Sequence, residues 1–180
     1  PWLTSCSVWV TRGRLRKDAL HRAPPGRAAD ELAARARDEY LAAYALARDP
    51  YPGVNAATLS MLLGDTEVAR TLAGEIEGTL VARGGTLSGW DLLTAAEAAL
   101  LRGDTTLARK RYGAAWHEAG RDTGRMASVR RQLHLLARVL PSLYRDAQVP
   151  RQEPFLRALR GNLMAAAPPG ARSDPALALL

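Results

Sequence analysis

Residues 51–73 read Y-P-G-V-N-A-A-T-L-S-M-L-L-G-D-T-E-V-A-R-T-L-A, and residues 90–112 read W-D-L-L-T-A-A-E-A-A-L-L-R-G-D-T-T-L-A-R-K-R-Y. The two segments align without a gap, at a constant offset of 39. Gly64-Asp65-Thr66 falls on Gly103-Asp104-Thr105, Ala69-Arg70 on Ala108-Arg109, Ala56-Ala57 on Ala95-Ala96, and Tyr51 on Trp90. A constant period in this range marks a stacked-repeat architecture. Each copy is an apolar helix-favouring run, then Gly-Asp, then a second amphipathic run. Glycine takes the left-handed geometry that ends a helix, and Asp65 or Asp104 can accept from the free N–H groups of the next one. Each copy therefore reads as a helical hairpin, with the alanine pairs letting two backbones approach closely.

Working outward, Ala28 to Arg48 is predicted helical, with Leu32, Ala36, Tyr40, Ala43, Tyr44 and Ala47 on one stripe. Asp49-Pro50-Tyr51-Pro52-Gly53 should end it, because neither proline suits a helix interior. The following helices are expected at Val54–Leu63, Thr66–Arg83, Trp90–Arg102 and Thr105–Ala119. The second helices carry Val68, Leu72 and Ile76, or Ala108, Tyr112, Ala115 and Ala119, at helical spacing. Ala108-x-x-x-Tyr112 after the turn fits the tetratricopeptide pattern, and Gly84-Gly85 should absorb the excess over the usual period of about 34 residues. A turn at Gly120–Gly124 and a helix at Met126–Leu140 follow, the latter with Val129, Leu133, Leu136 and Leu140 inward. The expected fold is all-α: a tetratricopeptide-like stack of antiparallel hairpins, about six or seven helices. Residues 28–146 form the repeat domain. Residues 147–166 hold a further helix, centred on Glu153–Ala166, and 167–180 a disordered tail. Residues 1–27 read as a poorly ordered linker or the remnant of a preceding region, with strand-like composition at Cys6–Val10.

At 180 residues and 47% hydrophobic content there is material for one domain with a core. No run of about 18 apolar residues points to a membrane span. A single cysteine, Cys6, excludes an internal disulfide framework and a cysteine-based zinc site, and a cytoplasmic setting fits. The first residue is not Met, so a longer polypeptide is expected. The net charge is +7, which could draw nucleic acid. The basic residues are spread along the chain and nearly all arginine, with lysine only at 17 and 110. Nucleic-acid binding therefore ranks third among the readings. His21, His117 and His134 share no metal-ligand spacing. There is no phosphate-binding glycine loop, no dinucleotide fingerprint and no oriented Cys–His pair, so neither an enzyme nor a cofactor is expected.

The segment Tyr51-Pro52-Gly53-Val54-Asn55-Ala56-Ala57-Thr58-Leu59 carries a further signal. Together with Leu62-Leu63-Gly64-Asp65, Trp90, Ala96-Glu97-Ala98, Leu100-Leu101-Arg102-Gly103-Asp104 and Arg131-Gln132-Leu133, it resembles the TPR-S family, the tetratricopeptide-repeat sensor domain. The same region is called the TRAFs-binding domain in the apoptosis-signal-regulating MAP kinase kinase kinases. The resemblance spans about Ala28 to Leu140. It implies a regulatory module of a conflict or stress-signalling system, with a nucleotide-derived small ligand and an attached effector. The alternative it implies is a platform for a protein partner, and self-association is compatible with both.

Solenoids bind along the first helices of their pairs, so polar and aromatic residues there are the candidates. Asn55 either reads a base or peptide, or caps its helix. Thr58 and Thr94 are polar neighbours on the same helices. Glu97 either accepts from a ribose or amine, or pairs with Arg130 or Arg131. Tyr51 and Trp90 either stack on a base, worth ~1–3 kcal/mol, or pack between repeats. Arg130, Arg131 and Gln132 either clamp a phosphate or form a solvated face.

Overall fold

The computed structural model describes residues 2–119, 131–133 and 135–136. Their regular structure is all α-helix. Six helices run in order: α1 (Trp2–Arg22), α2 (Arg27–Ala47), α3 (Pro50–Leu62), α4 (Thr66–Ala82), α5 (Gly89–Leu101) and α6 (Thr105–Ala119). Residues 131–133 and 135–136 are helical too, with Leu133, Leu135 and Leu136 buried. Each helix packs on its neighbours in the chain, and α3 also packs on α5. Arg130, Val129, Leu140, the Gly120–Gly124 turn and everything expected beyond residue 140 lie outside the described residues.

The two Gly-Asp turns are the same turn. Gly64 and Gly103 adopt φ of 88° and 87°. The glycine N–H donates to Met61 O at 3.1 Å, or to Leu100 O at 3.0 Å; the aspartate N–H donates to Ser60 O or Ala99 O, each at 2.9 Å. This is the Schellman closure, which satisfies carbonyls a helix end would otherwise leave open. The aspartates then diverge. Asp104 Oδ1 accepts from the Leu107 N–H at 2.9 Å, as a cap should. Asp65 makes no side-chain cap; its carboxylate instead accepts from Arg37 Nη1 at 2.7 Å, tying the turn to α2.

Four expectations are corrected. Pro50-Tyr51-Pro52-Gly53 is not a turn but the first turn of α3, capped by the Asp49 side chain, which accepts from the Tyr51 N–H at 2.8 Å. Proline fits there because the first N–H groups of a helix have no internal partner. Val68 is exposed, and the buried face of α4 is Ala69, Leu72, Ala73, Ile76 and Leu80. Ala47, similarly, is exposed at the end of α2. Finally, the region read as a linker contains α1, with Cys6–Val10 inside a 21-residue helix.

Helix α1 hides its packing because its inward positions are not apolar. Gly13 lies against the Tyr40 ring, where a Cβ would stand 3.1 Å from ring carbons. The two helices can approach there only with glycine. On either side, Arg12 Nε and Arg16 Nε donate to the two oxygens of the buried Glu39 carboxylate, at 3.0 and 2.9 Å. Leu20 is fully buried, and Cys6 Sγ donates to Ala43 O at 3.7 Å.

Helix α3 lies at the centre. Pro50 and every residue from Pro52 to Met61 are buried, which matches a helix apolar nearly all round. A Cβ on Gly53 would stand 2.9 Å from the Tyr44 ring and 3.1 Å from Ile76 Cδ1. Alanine in a helix interior gains ~1 kcal/mol over glycine, but overpacking costs ~1–3 kcal/mol. Gly53→Ala is thus expected to lower stability by up to ~2 kcal/mol, the overpacking cost less the helix gain, seen as an earlier urea midpoint at unchanged slope. A later midpoint would show that the Tyr44 ring yields.

Candidate functional site

The repeat period brings equivalent positions of α3 and α5 together. Thr58 and Glu97 are 39 residues apart, and the Thr58 hydroxyl donates to Glu97 Oε1. Tyr51 and Trp90 correspond in the same way, as do Asn55 and Thr94. All of these except Thr58 line one cavity of about 490 Å³, part of it open solvent. Lys17 of α1, Val54 of α3, Leu93 of α5, Tyr112 of α6 and Gln132 complete its wall.

Its polar floor is a continuous network. Asn55 Nδ2 donates to the Tyr51 carbonyl at 2.8 Å, which turns Oδ1 toward Lys17. Lys17 Nζ donates to that Oδ1 and to Gln132 Oε1, the latter at 2.6 Å. Gln132 Nε2 in turn donates to Glu97 Oε1 and, at 3.2 Å, to Thr58 Oγ1. The bonds made by each amide nitrogen fix which oxygen faces the lysine. Thr58, Asn55, Glu97 and Gln132 are all buried, so each needs these partners to offset its lost hydration.

Burial dominates the charges. It pushes Lys17 down to about 8; the Glu97 and Asp18 carboxylates oppose that shift, and Arg131 adds to it. Burial pushes Glu97 up, against the Thr58 hydrogen bond, the Lys17 ammonium and the Gln132 amide. A lysine nearer neutrality and a carboxyl held toward its acid form thus share one wall.

The rim is aromatic. Tyr51 and Trp90 are 42% and 48% exposed, against 7% for Glu97, so the rings stand at the mouth and the carboxyl at the floor. Tyr40, fully buried, meets the Tyr51 ring edge-on, with centroids 6.4 Å apart and planes at 85°. That is a favourable aromatic geometry and braces one side of the rim.

Of the predicted site residues, the structure brings together Tyr51, Asn55, Trp90, Thr94, Glu97 and Gln132, with Thr58 behind them. Asn55 is not a cap: it sits inside α3, whose cap is Asp49. Glu97 is held by Thr58 and Gln132, with Lys17 as a neighbouring cation; the alternative partner Arg130 lies outside the described residues. Arg131 is exposed. Sequence reasoning missed Lys17, Tyr112, Val54 and Leu93. For Lys17 a signal existed: it is one of two lysines in an arginine-rich chain. Among the described residues, no three His, Cys, Asp or Glu side chains could together hold a metal ion, and no helix is long and apolar enough to cross a membrane.

Comparison with protein-family models, curated proteins and solved structures finds no match to this chain.

Proposed function

We propose that this chain is a non-enzymatic sensor module of a signalling or stress-response system, built as a tetratricopeptide-like stack and resembling TPR-S domains. It binds a nucleotide-derived ligand in the cavity and relays occupancy to an attached effector in the cytoplasm. The observation that carries this reading is the pairing of half-exposed Tyr51 and Trp90 rings with a buried Asn55–Lys17–Gln132–Glu97 network. Rings supply a sequence-tolerant stacking surface for a base. The amides and the carboxyl offer donors and acceptors for its edge or for a ribose hydroxyl. Lys17 supplies a positive charge for an acidic group. Relay is supported by the origin of Lys17: it comes from α1, outside the region of resemblance, so a ligand that takes its hydrogen bonds alters how α1 is held.

Thermal shift and calorimetry against a panel of nucleotides and nucleotide metabolites test this. A ligand at 100 times its dissociation constant stabilises the fold by ~2.7 kcal/mol. Trp90→Ala is expected to weaken its binding by ~1–3 kcal/mol, roughly five- to 150-fold. A ligand whose affinity ignores both Trp90→Ala and Glu97→Gln would place the site elsewhere.

The exposed side chains of Leu46, Val68 and Val81, none of which lines the cavity, favour a second reading as a protein-docking platform. A stoichiometric protein partner retained in the absence of nucleotide would support it.

A further inference from the structure

The chain holds two lysines, and they sit in different surroundings. Lys110 is exposed on α6. Lys17 enters the cavity from α1, with its nitrogen fixed by two amide oxygens at the floor and with Tyr51 and Trp90 at the mouth. Glu97 shares that floor, joined to the lysine through Gln132. An amine at the bottom of a ring-lined cavity with a carboxyl nearby is the arrangement that favours imine formation.

We propose that Lys17 is a covalent capture site: its amine condenses reversibly with the carbonyl of a small aromatic aldehyde whose ring lies against Tyr51 and Trp90. The neutral amine attacks the carbonyl carbon. A C–N bond forms as the carbonyl π bond breaks, and the oxygen takes up the proton that the attacking nitrogen gives up. The resulting carbinolamine loses its hydroxyl as water, with a proton drawn from the acid form of Glu97 in the same cavity. Amine plus aldehyde thus gives imine plus water, with no oxidant or reductant required. The protonated imine keeps one N–H donor for Asn55 Oδ1 or Gln132 Oε1, so the fixed acceptors are not both abandoned. The Glu97 carboxylate left behind is the counter-charge to the iminium. Availability of the amine agrees with this geometry. With Lys17 near 8, about a quarter of it is neutral at pH 7.5, against roughly one in a thousand for an ordinary lysine. Glu97 and Asp18 hold the proton on, while Arg131 and burial drive it off.

This site is independent of a nucleotide ligand: a nucleotide panel can fail while the lysine is captured, and the reverse. The test treats the intact chain with benzaldehyde and sodium cyanoborohydride at pH 7.5, then maps the benzylated lysines by mass spectrometry. Lys17 should be modified at least ten times faster than the internal control, Lys110. The ratio should fall with cyclohexanecarbaldehyde, which has the size but not the aromatic face. It should fall as well in Trp90→Ala, and Lys17→Arg should leave only the Lys110 label. Equal rates at the two lysines overturn the capture site. Equal ratios with the two aldehydes overturn the aromatic class.

Discussion

Tyr40→Ala is expected to destabilise the protein by ~3–5 kcal/mol, the range for removing a large aromatic ring from a core. Tyr40 has no exposed surface, and three parts of the structure depend on its ring. It fills the close approach at Gly13, so its loss opens a void between α1 and α2. It meets Tyr51 edge-on, so the rim of the cavity loses its brace. It also stands beside Glu39 in the sequence, and Glu39 is the anchor for Arg12 and Arg16. Urea unfolding should show an earlier midpoint, and hydrogen exchange should rise across α1 before it rises in α3. Burial pushes the Tyr40 hydroxyl strongly toward its neutral form, so the group remains an ordinary phenol and the ring carries most of the effect. The Tyr40 hydroxyl is buried without a hydrogen-bond partner among the described residues, so Tyr40→Phe should be near neutral or slightly stabilising, because it removes a buried polar group that makes no bond. A loss with Tyr40→Phe as large as with Tyr40→Ala would locate the energy in the hydroxyl instead.

Glu97→Ala is the second large effect, at ~2–3 kcal/mol near neutral pH. It strands the Thr58 hydroxyl and a Gln132 N–H in a buried place, and each stranded group costs ~1–3 kcal/mol. Relief of a buried carboxyl offsets part of this. Glu97→Gln separates the two contributions, because it retains an acceptor oxygen without a titrating group. The folded-state pKa of Glu97 is raised. Its contribution to stability is therefore fully present below the unfolded value, ~4.3, and is lost as pH rises through the folded one. The stability advantage of wild type over Glu97→Gln should accordingly shrink between pH 4 and pH 8. Lys17 has the opposite shift. Its charged form is penalised throughout the range below about 8, and that penalty lifts only at higher pH, so the chosen window reads Glu97. An advantage that stays constant across it would mean that Glu97 titrates no differently in the folded and unfolded chain.

The repeat was legible because it is local. A Schellman turn needs glycine at one position and tolerates aspartate at the next, and a helix needs its apolar residues three or four apart. Both requirements can be read along the chain, and α4, α5 and α6 fall within about a residue of their expected bounds. The start of α3 was harder to read, since proline excludes a helix interior but not a first turn, and only the Asp49 cap decides between them. Helix α1 was not legible. Its inward stripe is Gly13, Lys17 and Leu20, flanked by arginines, and such a stripe has no hydrophobic periodicity. Its packing rests on the Tyr40 ring and the buried Glu39 carboxylate, both on α2 and more than twenty residues away.

Only the structure shows that Thr58 meets Glu97, but the sequence by itself determined the helical hairpins, their register and the equivalence of Tyr51 and Trp90. These follow from a period of 39 acting on elements that fold by short-range rules. Only the tertiary structure decided that Lys17 and Gln132, 115 residues apart, share a hydrogen bond at the floor of the cavity. A buried polar network obeys no periodicity: its members are chosen by where helices from distant parts of the chain cross, and by the need to satisfy every donor and acceptor once water has been excluded.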